Sequence, residues 1–413
     1  MKDQPHPTAS PFSHPVYVMA KPAGARCNLA CRYCYYLEKA GMYGHDEGHL
    51  MSGRLLESFV SQYIAAQTQR EVLFTWHGGE TMLRPLSFYR EAMRLQRKYA
   101  NGHIIDNCIQ TNGTLLNDEW CEFLKANNWL VGVSIDGPEE MHNAYRKDRH
   151  GRGTFQEVMR GIGLLNRYGV EWNAMAVVNS LNAAHPLDFY HFFKDIGCRY
   201  IQFTPIVERN APALTPPLAG LSAGSRVEMT AETVHPRQWG DFLCAIFDEW
   251  VASDVGEYFI QLFDTTLANW VGVEPGVCSM AKFCGNALAM EHNGDVFSCD
   301  HFVYSEYRLG NIMRQPLAEL AYGERQNAFR RLKPSLPKQC RACKFEFACH
   351  GECPKNRLLH TPDGEAGLNY LCDGYRQFFA HVEPYMDYMA HEWRTDGTPT
   401  NVMQAVADGL FAR

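Results

Sequence analysis

The sequence predicts an α/β fold, an open sheet of six parallel strand–helix units followed by a cysteine-rich second domain. Three observations predict it. Six short apolar runs alternate with stretches of helical apolar spacing in the first half of the chain. Polar motifs follow the strands, where ligands gather in such sheets. Eight of the 15 cysteines fall between positions 278 and 372.

The elements follow in order. Residues 16–19 read as a strand, and 53–67 as a helix with Leu55, Leu56, Phe59, Val60, Tyr63 and Ile64 on one face. Strands are expected at 72–76, 104–110, 130–135, 170–178 and 200–207. Helices are expected between them at 85–99, 118–127, 155–168 and 187–196. Six units are too few for the eight of a closed barrel, so the expectation is a partial (β/α)6 TIM-type barrel. Residues 210–236, rich in Ala, Pro, Gly, Ser and Thr, read as a loop. A helix at 238–252, with Trp239, Phe242, Leu243, Ile246, Phe247 and Trp250 on its apolar face, closes the side of the barrel. The expected division is a barrel at 1–236, a connecting helical segment at 237–273 and a cysteine-rich domain with a C-terminal helix at 274–413.

Composition removes several function classes. The 413 residues carry a net charge of −7, which offers no electrostatic reason to bind nucleic acid or an anionic membrane. No apolar run approaches a membrane span. The N-terminus shows no apolar signal core, so a cytoplasmic protein is expected. In that reducing compartment, 15 cysteines argue for metal binding or catalysis over disulfides.

Directly after the first strand, Cys27-x3-Cys31-x2-Cys34 is followed by Tyr35 and Tyr36. Three thiolates on one loop can hold three irons of a 4Fe-4S cube and leave the fourth iron open. The alternative is a zinc knuckle with His45 or His49 as fourth ligand. Further on, the cysteines run Cys278, Cys284 and Cys299, then Cys340, Cys343, Cys349 and Cys353, then Cys372. Eight is twice four, and two closed sites follow, as iron–sulfur or as zinc. Spacing alone leaves about 35 ways to divide eight ligands into two fours. Cys108, Cys121, Cys198 and Cys244 read as ordinary buried thiols.

Other strand ends carry polar groups. Gly78-Gly79-Glu80 lets backbone approach a ligand closely and adds a carboxylate. Asn112 follows the third strand and reads as a turn residue, Ser134 ends the fourth, and Val207 ends the sixth.

The cysteine triplet, its trailing aromatics and the Gly-Gly-Glu resemble the radical S-adenosylmethionine (SAM) superfamily. The eight later cysteines resemble its SPASM extension, one cysteine more than the usual seven. Over nearly the whole chain the resemblance is to anaerobic sulfatase-maturating enzymes. It is carried by Thr75-Trp-His-Gly-Gly-Glu80, Gln110-Thr-Asn-Gly113, Ser134-Ile-Asp-Gly-Pro138, Asn293–His301 and Cys349-His-Gly-Glu-Cys-Pro-Lys-Asn356. It implies SAM on the open iron of a cluster held by Cys27, Cys31 and Cys34, cleaved to a 5′-deoxyadenosyl radical. Two auxiliary 4Fe-4S clusters are implied, one on Cys278, Cys284, Cys299 and Cys353, the other on Cys340, Cys343, Cys349 and Cys372. The implied SAM contacts are Gly78, Gly79, Glu80, Ser134 and Val207, with Arg146 or Arg152 at its carboxylate. Tyr36 and His77 are the implied substrate contacts; His77 stands where some relatives carry Gln. Asp300 is the implied general base. The implied reaction oxidises a Cys or Ser in a Cys/Ser-x-Pro-x-Arg segment of an unfolded sulfatase to Cα-formylglycine, with a flavodoxin or ferredoxin as low-potential electron donor. The rival readings are another SPASM peptide maturase, making thioethers or a quinone precursor, and a zinc-organised interaction protein without catalysis.

Overall fold

In the computed structural model, which describes residues 15–43, 49–221 and 227–411, one sheet organises the chain. Its first six strands are β1 (Val16–Ala20), β2 (Glu71–Trp76), β3 (Ile104–Thr111), β4 (Leu130–Ser134), β5 (Trp172–Val178) and β6 (Tyr200–Pro205). They lie side by side in sequence order, every pair parallel. Helices α1 (Gly53–Ala65), α2 (Leu86–Tyr99), α3 (Asp118–Ala126), α4 (Glu139–Tyr145), α5 (Phe155–Tyr168) and α6 (Pro186–Asp195) connect them. The expected succession of six strand–helix units is present. Helix α4 was not expected; it starts directly after Pro138 and lasts only two turns.

Alternation along the strands explains the layering. In β2, Val72, Phe74 and Trp76 are buried while Glu71 and Leu73 are exposed. Phe59 and Tyr63 of α1 pack on Phe74, and Tyr89 of α2 packs on Trp76. The indole N–H of Trp76 donates to Asn107 Oδ1 at 3.0 Å, and Asn107 exchanges two hydrogen bonds with Gln96. The buried polar groups of Trp76, Gln96 and Asn107 therefore find partners in one another.

The sheet runs on beyond both expected edges. On one side β7 (Phe259–Ile260) pairs parallel with β6. On the other, β8 (Asn286–Met290) pairs parallel with all five residues of β1, from Val16↔Asn286 to Ala20↔Met290. Two antiparallel strands, β9 (Asp295–Phe297) and β10 (Arg308–Asn311), complete the order β10-β9-β8-β1-β2-β3-β4-β5-β6-β7. The cysteine-rich half thus shares the sheet of the first half. Only β8 separates the strand that opens into the cluster loop from β9, the strand that leads to Cys299.

Helix α7 (Pro236–Ser253) begins two residues before the expected 238. Pro236 is tolerated there because the first-turn N–H has no partner to lose, and His235 and Gln238 form a capping box. Its apolar face, Trp239 to Trp250, is buried as expected. The helix Cys372–Arg394 lies along it at close range. A Cβ on Gly374 would stand 2.1 Å from the Pro236 carbonyl, so only glycine permits that approach. The contact fixes the N-terminus of this helix, where Cys372 sits. Among the described residues, no helix is long and apolar enough to cross a membrane.

Candidate active site

The loop from Lys21 to Tyr36 is held from two sides. On one, Gly79 N–H donates to the Gly24 carbonyl at 2.8 Å and Glu80 N–H to the Arg26 carbonyl at 2.7 Å. On the other, Ala30 and Arg32 N–H donate to the carbonyls of Lys147 and Tyr145. Cys27, Cys31 and Cys34 stand within electrostatic reach of one another. Burial pushes the thiols of Cys27 and Cys31 up to about 12 and about 11. A bound metal removes that proton outright. Asn112, which reads in sequence as a turn residue, turns its amide to this loop. It donates to Asn28 Oδ1 at 2.8 Å and lies 3.7 Å from Cys27 Sγ.

Gly78 and Gly79 are needed first for the loop itself. Gly78 has φ +135°, outside the range of L side chains, and a Cβ on Gly79 would lie 2.1 Å from the Arg26 carbonyl oxygen. Glu80 is fully buried and its carboxylate accepts from Asn112 N–H, Met82 N–H and the Thr111 hydroxyl, all within 2.9 Å. Gly79→Ala is expected to push the cluster loop off β2. Anaerobic reconstitution should then yield about four irons fewer per chain than wild type, while far-UV circular dichroism is retained; an unchanged iron content would refute the reading.

Ser134, at the end of β4, accepts from Gln110 Nε2 at 3.0 Å. Arg146, buried, pairs with Asp136 at 2.9 Å and lies over the Tyr33 ring; Tyr33 in turn donates to Asp136. Arg152 is exposed and pairs with Asp148 instead. Val207 is buried just past β6 and lines a cavity of about 210 Å3. Tyr33, Cys34, Tyr35, Glu208, His301 and Lys355 also line it.

Asp300, the residue after Cys299, reaches the cluster loop. Tyr35 donates its hydroxyl to Asp300 Oδ2, and Lys21 forms an ion pair with Oδ1. Burial, the largest single influence, works against the carboxylate, but the Lys21 ammonium together with His77 and His301 outweighs it and holds Asp300 below the usual carboxylate range. His77 stands on the other side of Lys21, its Nδ1 3.0 Å from Nζ. Burial, with Lys21 next, lowers His77 to about 4, so its ring is neutral. Tyr36 sits differently from the expected substrate contact. It is 3% exposed, its hydroxyl donates to the buried Glu291, and its ring packs with Ala289, Phe297 and Val303. Tyr35, its neighbour, faces the cavity instead. Lys21 and Tyr35 escaped the sequence reading. Their only signal there is adjacency to the motif.

The eight later cysteines assemble as two fours. Cys278, Cys284, Cys299 and Cys353 act electrostatically on one another. Cys340, Cys343, Cys349 and Cys372 line a second cavity of about 440 Å3. One tetrahedral zinc, with bonds of about 2.3 Å, needs no such space. Among the described residues, no three His, Cys, Asp or Glu converge as a single ion requires. His45 lies outside the described residues, and the ring of His49 lies tilted against His292, with ring centroids 5.0 Å apart. An all-thiol donor set around open space fits a 4Fe-4S cube. Between the two fours, the buried Lys333 donates to the Glu352 carbonyl at 2.7 Å, and Arg357 donates to carbonyls from Leu332 to Glu352.

Comparison with known proteins gives consistent results. The family model of the radical SAM superfamily matches residues 22–193, and that of the SPASM iron-sulfur cluster-binding domain matches 278–344. A serine-type anaerobic sulfatase-maturating enzyme of Bacteroides thetaiotaomicron is 61% identical over 404 residues, 97% of this chain and 98% of that protein. A serine-type anaerobic sulfatase-maturating enzyme of Klebsiella aerogenes is 36% identical, covering 89% of this chain and 85% of its own. The solved structure of native anSMEcpe with bound AdoMet and Cp18Cys peptide matches with a TM-score of 0.79 at 32% identity, over 92% of this chain and 99% of that one.

Proposed function

The chain belongs to the anaerobic sulfatase-maturating enzymes of the radical SAM superfamily, and from that premise we propose that it oxidises a serine of a sulfatase polypeptide to Cα-formylglycine. Serine is preferred over cysteine in this reading because the relatives at 61% and 36% identity are both of the serine type. The enzyme uses SAM, a 4Fe-4S cluster and auxiliary clusters in its SPASM domain.

The observation that carries the reading is the position of Asp300. One carboxylate, adjacent to Cys299, accepts from Tyr35 on the loop of Cys27, Cys31 and Cys34. A peptide residue placed there meets both thiol sets. Turning Cβ–OH into an aldehyde removes two protons and two electrons. When bound, SAM and the first cluster supply the radical that takes a hydrogen atom from Cβ, and the auxiliary clusters receive the second electron. Asp300 accepts the hydroxyl proton, a role open to a carboxylate within hydrogen-bond reach of the substrate oxygen. Cys27, Cys31 and Cys34 would hold the SAM cluster, and the two fours the auxiliary ones. Gly78, Gly79, Glu80, Ser134, Val207 and Arg146 would contact SAM in this reading. The division at 236 and 273, a flavodoxin or ferredoxin donor and a cytoplasmic location complete the proposal.

The test uses anaerobically reconstituted enzyme, SAM, reductant and a peptide carrying Ser-x-Pro-x-Arg. Mass spectrometry should show loss of two hydrogens at the serine, and a hydrazine probe should label the aldehyde. Production of 5′-deoxyadenosine without aldehyde from either the serine or the cysteine peptide would refute the reading.

A further inference from the structure

Lys21 is a fully buried lysine that no step above uses. A buried ammonium persists only when paired. Its three donors meet groups from three separate segments. Asp300 comes from the segment after Cys299, His77 from the end of β2, and the Tyr36 ring, 4.2 Å from Nζ, from the cluster loop.

The bond to His77 decides more than a position. His77 Nδ1 faces Lys21 Nζ at 3.0 Å and also accepts from the Gly78 N–H at 2.8 Å. An ammonium has no lone pair, so Nδ1 must be the acceptor in both bonds. The neutral ring therefore carries its hydrogen on Nε2. Among the described residues, Nε2 has no partner. The same ammonium contacts Asp300 Oδ1, and a side chain that pairs with an ammonium does so through its acceptor oxygens. One nitrogen thus fixes both the tautomer of a ring and the place of a carboxylate. A hydroxyl complements that pair, because it donates one hydrogen bond and accepts others. A thiol does both weakly.

We propose that Lys21 is a positioning residue that presents the His77 Nε2–H as donor and Asp300 as acceptor, and that this pair selects a substrate hydroxyl over a thiol. The inference rests on the functional reading above and adds the residues that set serine against cysteine.

The test compares full-length reconstituted enzyme on one peptide sequence with Ser or Cys at the reacting position. Lys21→Met should lower kcat/KM for aldehyde from the serine peptide by about a hundredfold, the cost of a misplaced reacting group. The ratio of 5′-deoxyadenosine to aldehyde should rise, and the cysteine peptide should lose much less. His77→Phe, which removes the donor, should shift the Ser/Cys ratio the same way, and His77→Gln, which keeps an N–H, should restore it. Without SAM, wild type should bind the serine peptide more tightly than its alanine analogue, and His77→Phe should bind both alike. Lys21→Met strands the Asp300 charge, so the double variant Lys21→Met/Asp300→Asn guards against misfolding. With wild-type iron content it should be no worse than Asp300→Asn alone. A wild type that makes aldehyde, with a Ser/Cys ratio unmoved by Lys21→Met and His77→Phe, overturns this inference alone. A wild type that makes aldehyde from neither peptide overturns the functional reading and this inference with it.

Discussion

Replacing Cys27, Cys31 and Cys34 together by alanine is expected to abolish 5′-deoxyadenosine formation. All three thiols come from one loop, and no thiol of the auxiliary sets sits on it. Reconstituted wild type should carry about twelve irons per chain and the triple variant about eight, since each cube holds four. The loop's anchors are backbone bonds to Gly79, Glu80, Tyr145 and Lys147, none of which needs a thiol. The variant should therefore keep its far-UV circular dichroism and the electron paramagnetic resonance of the auxiliary clusters. Production of 5′-deoxyadenosine above background by the triple variant would show that SAM is cleaved elsewhere.

Asp300→Asn should separate the radical step from the proton step. Asparagine keeps the size of the side chain and can still accept from Tyr35, but it cannot take a proton. The residues assigned to SAM lie at other strand ends, so 5′-deoxyadenosine should still form when peptide is present. Formylglycine should fall roughly a hundredfold or more, as for a lost general base. With deuterium at the peptide Cβ, label should still appear in deoxyadenosine if hydrogen abstraction precedes deprotonation. The substitution also leaves Lys21 without its counter-ion inside the protein, a loss that destabilises buried pairs by about 3–5 kcal/mol. Iron content and melting temperature must therefore accompany the kinetics. Aldehyde yield equal to wild type would make Asp300 a turn residue, and loss of all clusters would make it structural.

The six parallel strands were legible because each is a short apolar run and helical stretches separate them. β7 was not, because two residues carry no period. β8 was not, because Asn-Ala-Leu-Ala-Met has no β-branched residue and its partner lies at the other end of the chain. The cysteine triplet was legible because its geometry is local. The division of the later eight was legible only through the family resemblance and not from spacing, since Cys372 reaches its set through the packing of the last long helix on α7. Lys21 was hidden for a general reason. A lysine in sequence reads as a surface residue, and only the meeting of three distant segments makes it a buried one.

The pairing of β8 with β1 also bears on how the chain is made. Synthesis delivers β1 first, yet one of its edges stays open until residues 286–290 have left the ribosome. At about 5–20 residues per second, that wait lasts on the order of tens of seconds. Throughout it, a nascent barrel with β2 to β6 already in place exposes a strand edge flanked by reactive thiols, a template for wrong pairing. Only the cysteine-rich half can shield that edge. Cells that make this enzyme have reason to keep nascent chains guarded, and to insert iron late, after the last strands have docked.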